Sequence, residues 1–312
     1  MDEKLIRRQL RNQLGKPGWI LLLYNLILNV SVIAALVIDM ILQGFPSGDA
    51  LDRIVMGNAW GYLAASLIGV LLLLIWKKRP FRFCELWQTE RRMTPRSFAV
   101  LLVLFISAQA AFQILALAME ALLNLFGLSV LNAIESASGV SDSVSMFLYV
   151  GLVAPIVEEI LFRGLLLRML RPYGKLFAIV MTAFLFGMFH GNPVQSPYAF
   201  LVGLILAYVA LEYSVGWAMV LHMGNNLILG DTLTRISHVL PQGVGDAIFV
   251  LLIWGCFLAG IVILICMRKK LAAYASENRI HPWCSKSFFG SAGIIFFTII
   301  MLLSMLAGIT PM

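Results

Sequence analysis

Nine predominantly apolar runs alternate with short polar stretches along the chain, at about 19–42, 59–76, 97–127, 144–170, 176–190, 198–213, 215–230, 247–267 and 288–308. A helix needs about 20 mostly apolar residues to cross a bilayer. The sixth and seventh runs are short and interrupted by polar residues, which suits helices that line a cavity, or one re-entrant segment, rather than lipid-facing spans. The pattern predicts an all-α polytopic transmembrane bundle of about eight to nine spans, with the count open between residues 198 and 230. No repeat, low-complexity tract or soluble domain interrupts it. Three stretches follow: 1–96, N-terminal spans and a basic loop; 97–267, a membrane core; and 268–312, a loop and a final span. The first and last spans are expected as peripheral additions to the core.

Composition supports this reading. Of 312 residues, 61% are hydrophobic and 12% charged, too few charges to cover a water-facing surface. The net charge of +7 lies in loops beside the apolar runs, so it predicts no nucleic-acid partner. With the N-terminus in the cytoplasm and the spans alternating, only Arg53 and Arg235 fall outside the cytoplasmic segments, as the positive-inside rule requires. The basic residues Lys4 to Lys16 resemble a signal-peptide start, but the apolar run that follows is too long, so a retained first span is expected. The short loops suggest a bacterial plasma membrane. Cys84, Cys256, Cys266 and Cys284 show no CxxC or metal-finger spacing and are expected as unpaired thiols.

An ionisable residue at membrane depth is costly and points to function. Glu158 and Glu159 are such residues. Glu159 and Arg163 are four apart and share a helix face. Glu158 is turned about 100° away and has no cation at i+3 or i+4. An ion pair that locks the helix explains Glu159 and Arg163 and leaves Glu158 for chemistry. The run Phe186-Gly187-Met188-Phe189-His190 comes next. Glu159 lies 12 residues before Arg171 and His190 lies 15 after Lys175, so Glu158 and His190 both sit roughly 18–22 Å from that turn at 1.5 Å per residue. The third run is His222-Met223-Gly224-Asn225-Asn226, where His222 and Asn226 share a face and Gly224 is expected to admit a close neighbouring helix. Asp39, Glu120 and Glu212 are expected at span ends without chemistry.

These residue types suit hydrolysis. Glu158 and His190 can deprotonate and orient a water, while His222 and Asn226 can stabilise an oxyanion. A second version has Glu158, His190 and His222 ligate zinc with one open position. HExxH is absent, which argues against the usual zincin arrangement.

The three motifs, Glu158-Glu159-x-x-x-Arg163, Phe186-x-x-x-His190 and His222-x-x-x-Asn226, together resemble the CPBP family of CAAX prenyl proteases and Abi-type, bacteriocin-processing intramembrane endopeptidases. The resemblance covers about residues 97–267, identified with a protease core. It implies a glutamate-dependent endopeptidase with no cofactor and a cavity opening toward the cytoplasm. It makes Glu158 and His190 the water-activating pair and His222 and Asn226 the oxyanion hole; Glu159, Arg163 and Phe186 fill the remaining motif positions. The implied partner is a membrane-associated peptide or protein substrate, prenylated or leader-bearing. Two alternatives stand beside this. One is a scaffold or bacteriocin-immunity protein of the same fold, docking through the basic stretch 77–96 with Trp87. The other, ranked last because no motif is duplicated, is a transporter.

Overall fold

A computed structural model describes residues 3–45, 59–76, 87–88, 90–138, 143–232, 240–241, 243–280 and 282–312. Arg53, Cys84, Arg235 and residues 77–86 of the basic stretch lie outside the described residues. The described chain is all-helical apart from one pair of two-residue strands.

In chain order the helices are α1 (Glu3–Leu42), α2 (Trp60–Trp76), α3 (Pro95–Asn124), the short α4 (Leu131–Ser138), α5 (Val144–Tyr173), α6 (Lys175–Phe189), α7 (Gln195–Glu212), α8 (Val215–Gly224, continued to Thr232 as π-helix), α9 (Val244–Glu277), α10 (Pro282–Phe289) and α11 (Ala292–Ala307). Among the described residues, α1, α3, α5, α7 and α9 are long and apolar enough to cross a membrane, and α10 with α11 forms a sixth candidate bent by 58°. α2 and α6 are shorter apolar helices. The protein is thus an all-α integral membrane bundle.

Helix boundaries follow local chemistry. Thr94 caps α3, its Oγ1 accepting from the Ser97 N–H at 3.1 Å, and Pro95 occupies the first turn, where no N–H is needed. Ser214 caps α8 by accepting from the Trp217 N–H at 3.2 Å. Gly174 turns α5 into α6 at φ 121°, a conformation open to glycine. Two helices outrun their apolar segments. α9 has 34 residues, about 51 Å at 1.5 Å per residue, against a hydrocarbon core of about 30 Å. The helix has length to spare for Arg268, Lys269 and Lys270, charged residues that continue a helix at little cost outside hydrocarbon. α1 likewise begins at Glu3, well before the apolar run at 19.

α5 is not a uniform α-helix. Two turns, Tyr149–Val153 and Ile160–Leu166, are π-helical, closed by Ala154 N–H to the Tyr149 carbonyl and Leu167 N–H to the Phe162 carbonyl. Pro155 explains the first of these. It lacks an N–H, and its ring clashes with the carbonyl four residues back in a regular helix. Widening the preceding turn relieves that clash.

One core cluster joins Leu14, Leu21 and Tyr24 of α1, Phe162 and Leu166 of α5, Phe177 and Phe186 of α6, and Phe297 and Met301 of α11. The first and last helices therefore pack into the same core as the motif helices. α1 and α11 approach at glycines: a Cβ on Gly18 falls 2.2 Å from the Gly293 carbonyl oxygen. α9 packs on α3 through Ile253 against Ile106 and Ala110.

The two ends of the bundle differ. One face is basic. There Glu212, 1% exposed, accepts from Lys175 Nζ at 3.0 Å and Tyr274 Oη at 3.0 Å and pairs with Arg91 Nε at 3.3 Å. Glu90 bridges Arg171 and Lys175, and Trp87 covers Gly216, where a Cβ falls 2.3 Å from the indole. At the opposite face, strand β1 (Leu128–Ser129) pairs antiparallel with β2 (Thr310–Pro311). Glu120 there accepts from Ser129 Oγ at 2.9 Å and the Val130 N–H at 2.7 Å. Glu120 and Glu212 thus stand at helix ends, as the sequence suggests, and each knits loops together.

Candidate active site

The three motifs stand on α5, α6 and α8, and the bundle brings them together around Phe186. Its ring meets His190 at 4.9 Å and His222 at 5.7 Å, both edge-on, and the Arg163 guanidinium carbon lies 4.3 Å above it. A cation over an aromatic face is attractive, and more so where water is excluded. Phe186 is therefore the apolar floor on which the polar groups are spaced.

Glu159 and Arg163 are both 0% exposed, with Arg163 Nη1 donating to Glu159 Oε1 at 2.9 Å. This is the pair the i, i+4 spacing predicts. The same carboxylate oxygen has a partner that the sequence did not indicate: His222 Nδ1 lies 2.9 Å from it. A carboxylate can only accept, so Nδ1 carries a proton. Glu159 therefore holds the ring of His222 as well as the helix. Arg163 Nη2 also reaches the Gly203 carbonyl at 3.4 Å, which ties α5 to α7, while Arg163 Nε and Glu159 Oε2 have no hydrogen-bond partner among the described residues.

Glu158 behaves differently. Its side chain is 21% exposed, and its Oε2 lies 3.8 Å from His222 Nε2. It is close enough to interact electrostatically with His190, Arg163, Tyr24 and Tyr149. The two tyrosines, from α1 and α5, were not singled out by sequence, because an aromatic in an apolar run reads as packing. His190 ends α6, its Nδ1 2.8 Å from the Phe186 carbonyl. A carbonyl also only accepts, so this nitrogen is the protonated one, and in the neutral ring Nε2 carries the lone pair. None of the hydrogen bonds of the described residues joins Glu158 to His190 directly, which leaves both acceptors free to share a third group.

Asn226 lies in the π-helical continuation of α8. Its Nδ2 donates to the Val150 carbonyl at 3.0 Å, and its Oδ1 accepts from Asn225 Nδ2 at 3.0 Å. Thus α8 is fixed against the first π turn of α5. π turns are enriched at functional sites, and here they flank both the glutamate pair and the His222–Asn226 pair. Periodicity gave no sign of them. The expected role of Gly224 needs correction: among the described residues no atom of another element lies within 4 Å of a Cβ built there, so no described helix approaches closely at that point. Gly151 serves that purpose instead, with Leu227 Cδ2 2.3 Å from its Cβ position.

Among the described residues no group of three His, Cys, Asp or Glu side chains is arranged to hold a metal ion. Cys256, Cys266 and Cys284 are free thiols remote from the motifs in sequence.

No curated protein matches the chain, and no solved structure does. Residues 140–228, which carry all three motifs, match the family model described as type II CAAX prenyl endopeptidase Rce1-like, a protease family, and the resemblance read from the motifs holds over that segment.

Proposed function

We propose that this chain is an intramembrane endopeptidase that hydrolyses a peptide bond of a membrane-associated peptide or protein, prenylated or leader-bearing, with a glutamate-activated water. One observation carries the reading: each motif histidine has its Nδ1 tied to an oxygen that can only accept, beside a carboxylate, Glu158, that stays partly open. A water donating one proton toward Glu158 and the other toward His190 Nε2 points its lone pair at a scissile carbonyl. Glu158 takes the proton as the water attacks and returns it to the leaving amine. The oxyanion is met by Asn226 Nδ2 and His222 Nε2. Because His222 Nδ1 is committed to Glu159, Nε2 is the nitrogen left to face the oxyanion. The basic face is assigned to the cytoplasm by the positive-inside rule, and the substrate enters from that side.

The test is reconstitution of the wild type and Glu158→Ala with quenched prenyl-peptide and leader-peptide substrates. Loss of a general base lowers turnover by roughly 10²–10⁴. Equal hydrolysis by the two proteins sinks the reading and favours a scaffold or immunity role. Hydrolysis that is lost with a chelator and restored by zinc reassigns Glu158, His190 and His222 as metal ligands.

A further inference from the structure

Three polar side chains outside the motifs form a chain that ends on the Asn226 amide. Gln109 of α3 directs Nε2 to Tyr198 Oη at 2.7 Å and to Asn225 Oδ1 at 3.0 Å. Tyr198 of α7 donates to the same Asn225 Oδ1 at 3.1 Å. Asn225 Nδ2 then donates to Asn226 Oδ1 at 3.0 Å, and Asn226 Nδ2 faces the Val150 carbonyl at 3.0 Å. The Val150 carbonyl, which only accepts, anchors the direction at one end. Two donors converge on the Asn225 oxygen at the other, so the Asn225 amide turns over only if the Gln109 amide and the Tyr198 hydroxyl turn with it. With Asn225 fixed, its N–H₂ meets the oxygen of Asn226. That leaves the Asn226 nitrogen facing the Val150 carbonyl, with its second N–H as the donor that the proposed oxyanion role requires.

We infer that Gln109, Tyr198 and Asn225 are positioning residues that set the direction of the Asn226 amide, so that a donor faces the developing oxyanion. The inference rests on the proposed hydrolytic reading. An asparagine side chain has two nearly isosteric orientations, and only one is competent as a donor. A polar residue in mid-helix at membrane depth is costly unless its groups are satisfied. Gln109, on α3 and outside every motif, meets that condition within this relay.

Gln109→Glu tests it. A glutamate at 109 offers acceptors only and draws the Asn225 amide round, which presents Asn225 Oδ1 to Asn226 and turns that amide over as well. The expected result is a fall in kcat of roughly 10–100-fold with KM little changed, short of the 10²–10³ for outright loss of an oxyanion donor. In an Asn226→Ala background the same change at 109 has no further effect on kcat, whereas a general packing defect lowers both backgrounds alike. Should Gln109→Glu fail to fold, the double variant Gln109→Met with Tyr198→Phe removes both donors to Asn225 without adding charge and is read the same way. Wild-type kcat in the variant that folds, or an equal loss in the Asn226→Ala background, overturns the relay. Full activity of Asn226→Ala alone overturns instead the oxyanion role on which the relay depends, so the two failures are distinguishable.

Discussion

The buried ion pair gives the sharpest stability prediction. Arg163 and Glu159 are both fully buried and joined at 2.9 Å. Arg163→Met keeps a long flexible side chain against Phe186 and removes the charge. It leaves the Glu159 carboxyl, at 0% exposure, with His222 as its remaining partner. Breaking a buried pair from one side costs about 3–5 kcal/mol, because the survivor is uncompensated. Glu159→Gln breaks the same pair from the other side: the amide oxygen still accepts from Arg163 and His222, but the fully buried guanidinium loses its counter-charge, so a comparable cost is expected. The double variant removes both charges, and replacing a buried pair by uncharged residues is often neutral or stabilising by about 1–4 kcal/mol. It should therefore lie within about 1–2 kcal/mol of the wild type, above the Arg163→Met single variant. The assay is equilibrium unfolding in bicelles by steric trapping, on all four proteins of the cycle. A double variant as unstable as the sum of the singles, or an Arg163→Met variant as stable as the wild type, refutes the argument that charge compensation holds this helix.

Three other outcomes are expected. Gly18→Leu should lower the thermal midpoint in detergent, because its Cβ alone falls 2.2 Å from the Gly293 carbonyl oxygen, whereas Gly224→Ala, with nothing within 4 Å, should be tolerated. Glu212→Ala should cost about 1–3 kcal/mol through the orphaned Tyr274 hydroxyl and the loss of one of the two carboxylates on Lys175, and should speed tryptic cleavage at Arg268–Lys270 as the end of α9 loses its tie to α7. The hydrogen bond from Lys175, with the charge of Arg171, holds the Glu90 carboxyl below its ordinary value of 4.5. Its stabilising contribution is thus present above that value and lost as pH falls through the lower folded one, so Glu90→Gln should flatten the acid limb of a stability profile, by a small amount given its exposure.

Much of this molecule is legible from sequence because the bilayer simplifies the code. Apolar runs mark where the long helices lie, since backbone groups in hydrocarbon have few alternatives to a helix. Ends are harder. Nothing in the hydropathy of Arg268–Glu277 says that α9 continues, because a charged helix outside the membrane is sustained by local propensity and by the Tyr274–Glu212 contact. The Glu159–Arg163 pair follows from spacing alone. The Glu159–His222 contact does not, because it joins residues 63 apart through the crossing of α5 and α8. Gln109 and Tyr198 carried a faint signal, as polar groups within apolar runs. What they bond was invisible without the packing of α3, α7 and α8.

The two adjacent glutamates show why such a site needs both. Glu159 holds Arg163 at 2.9 Å, and His222 stands between the two carboxyl groups, with one nitrogen 2.9 Å from Glu159 and the other 3.8 Å from Glu158. In the proposed reaction Glu159 anchors the cation and the ring, while Glu158, 21% exposed, is left to meet water. Removing Glu159 alone would leave Glu158 to serve Arg163 and His222 as well, which would compete with the role proposed for it. That separation of tasks needs two carboxylates about 100° apart on a single turn, which adjacent positions supply.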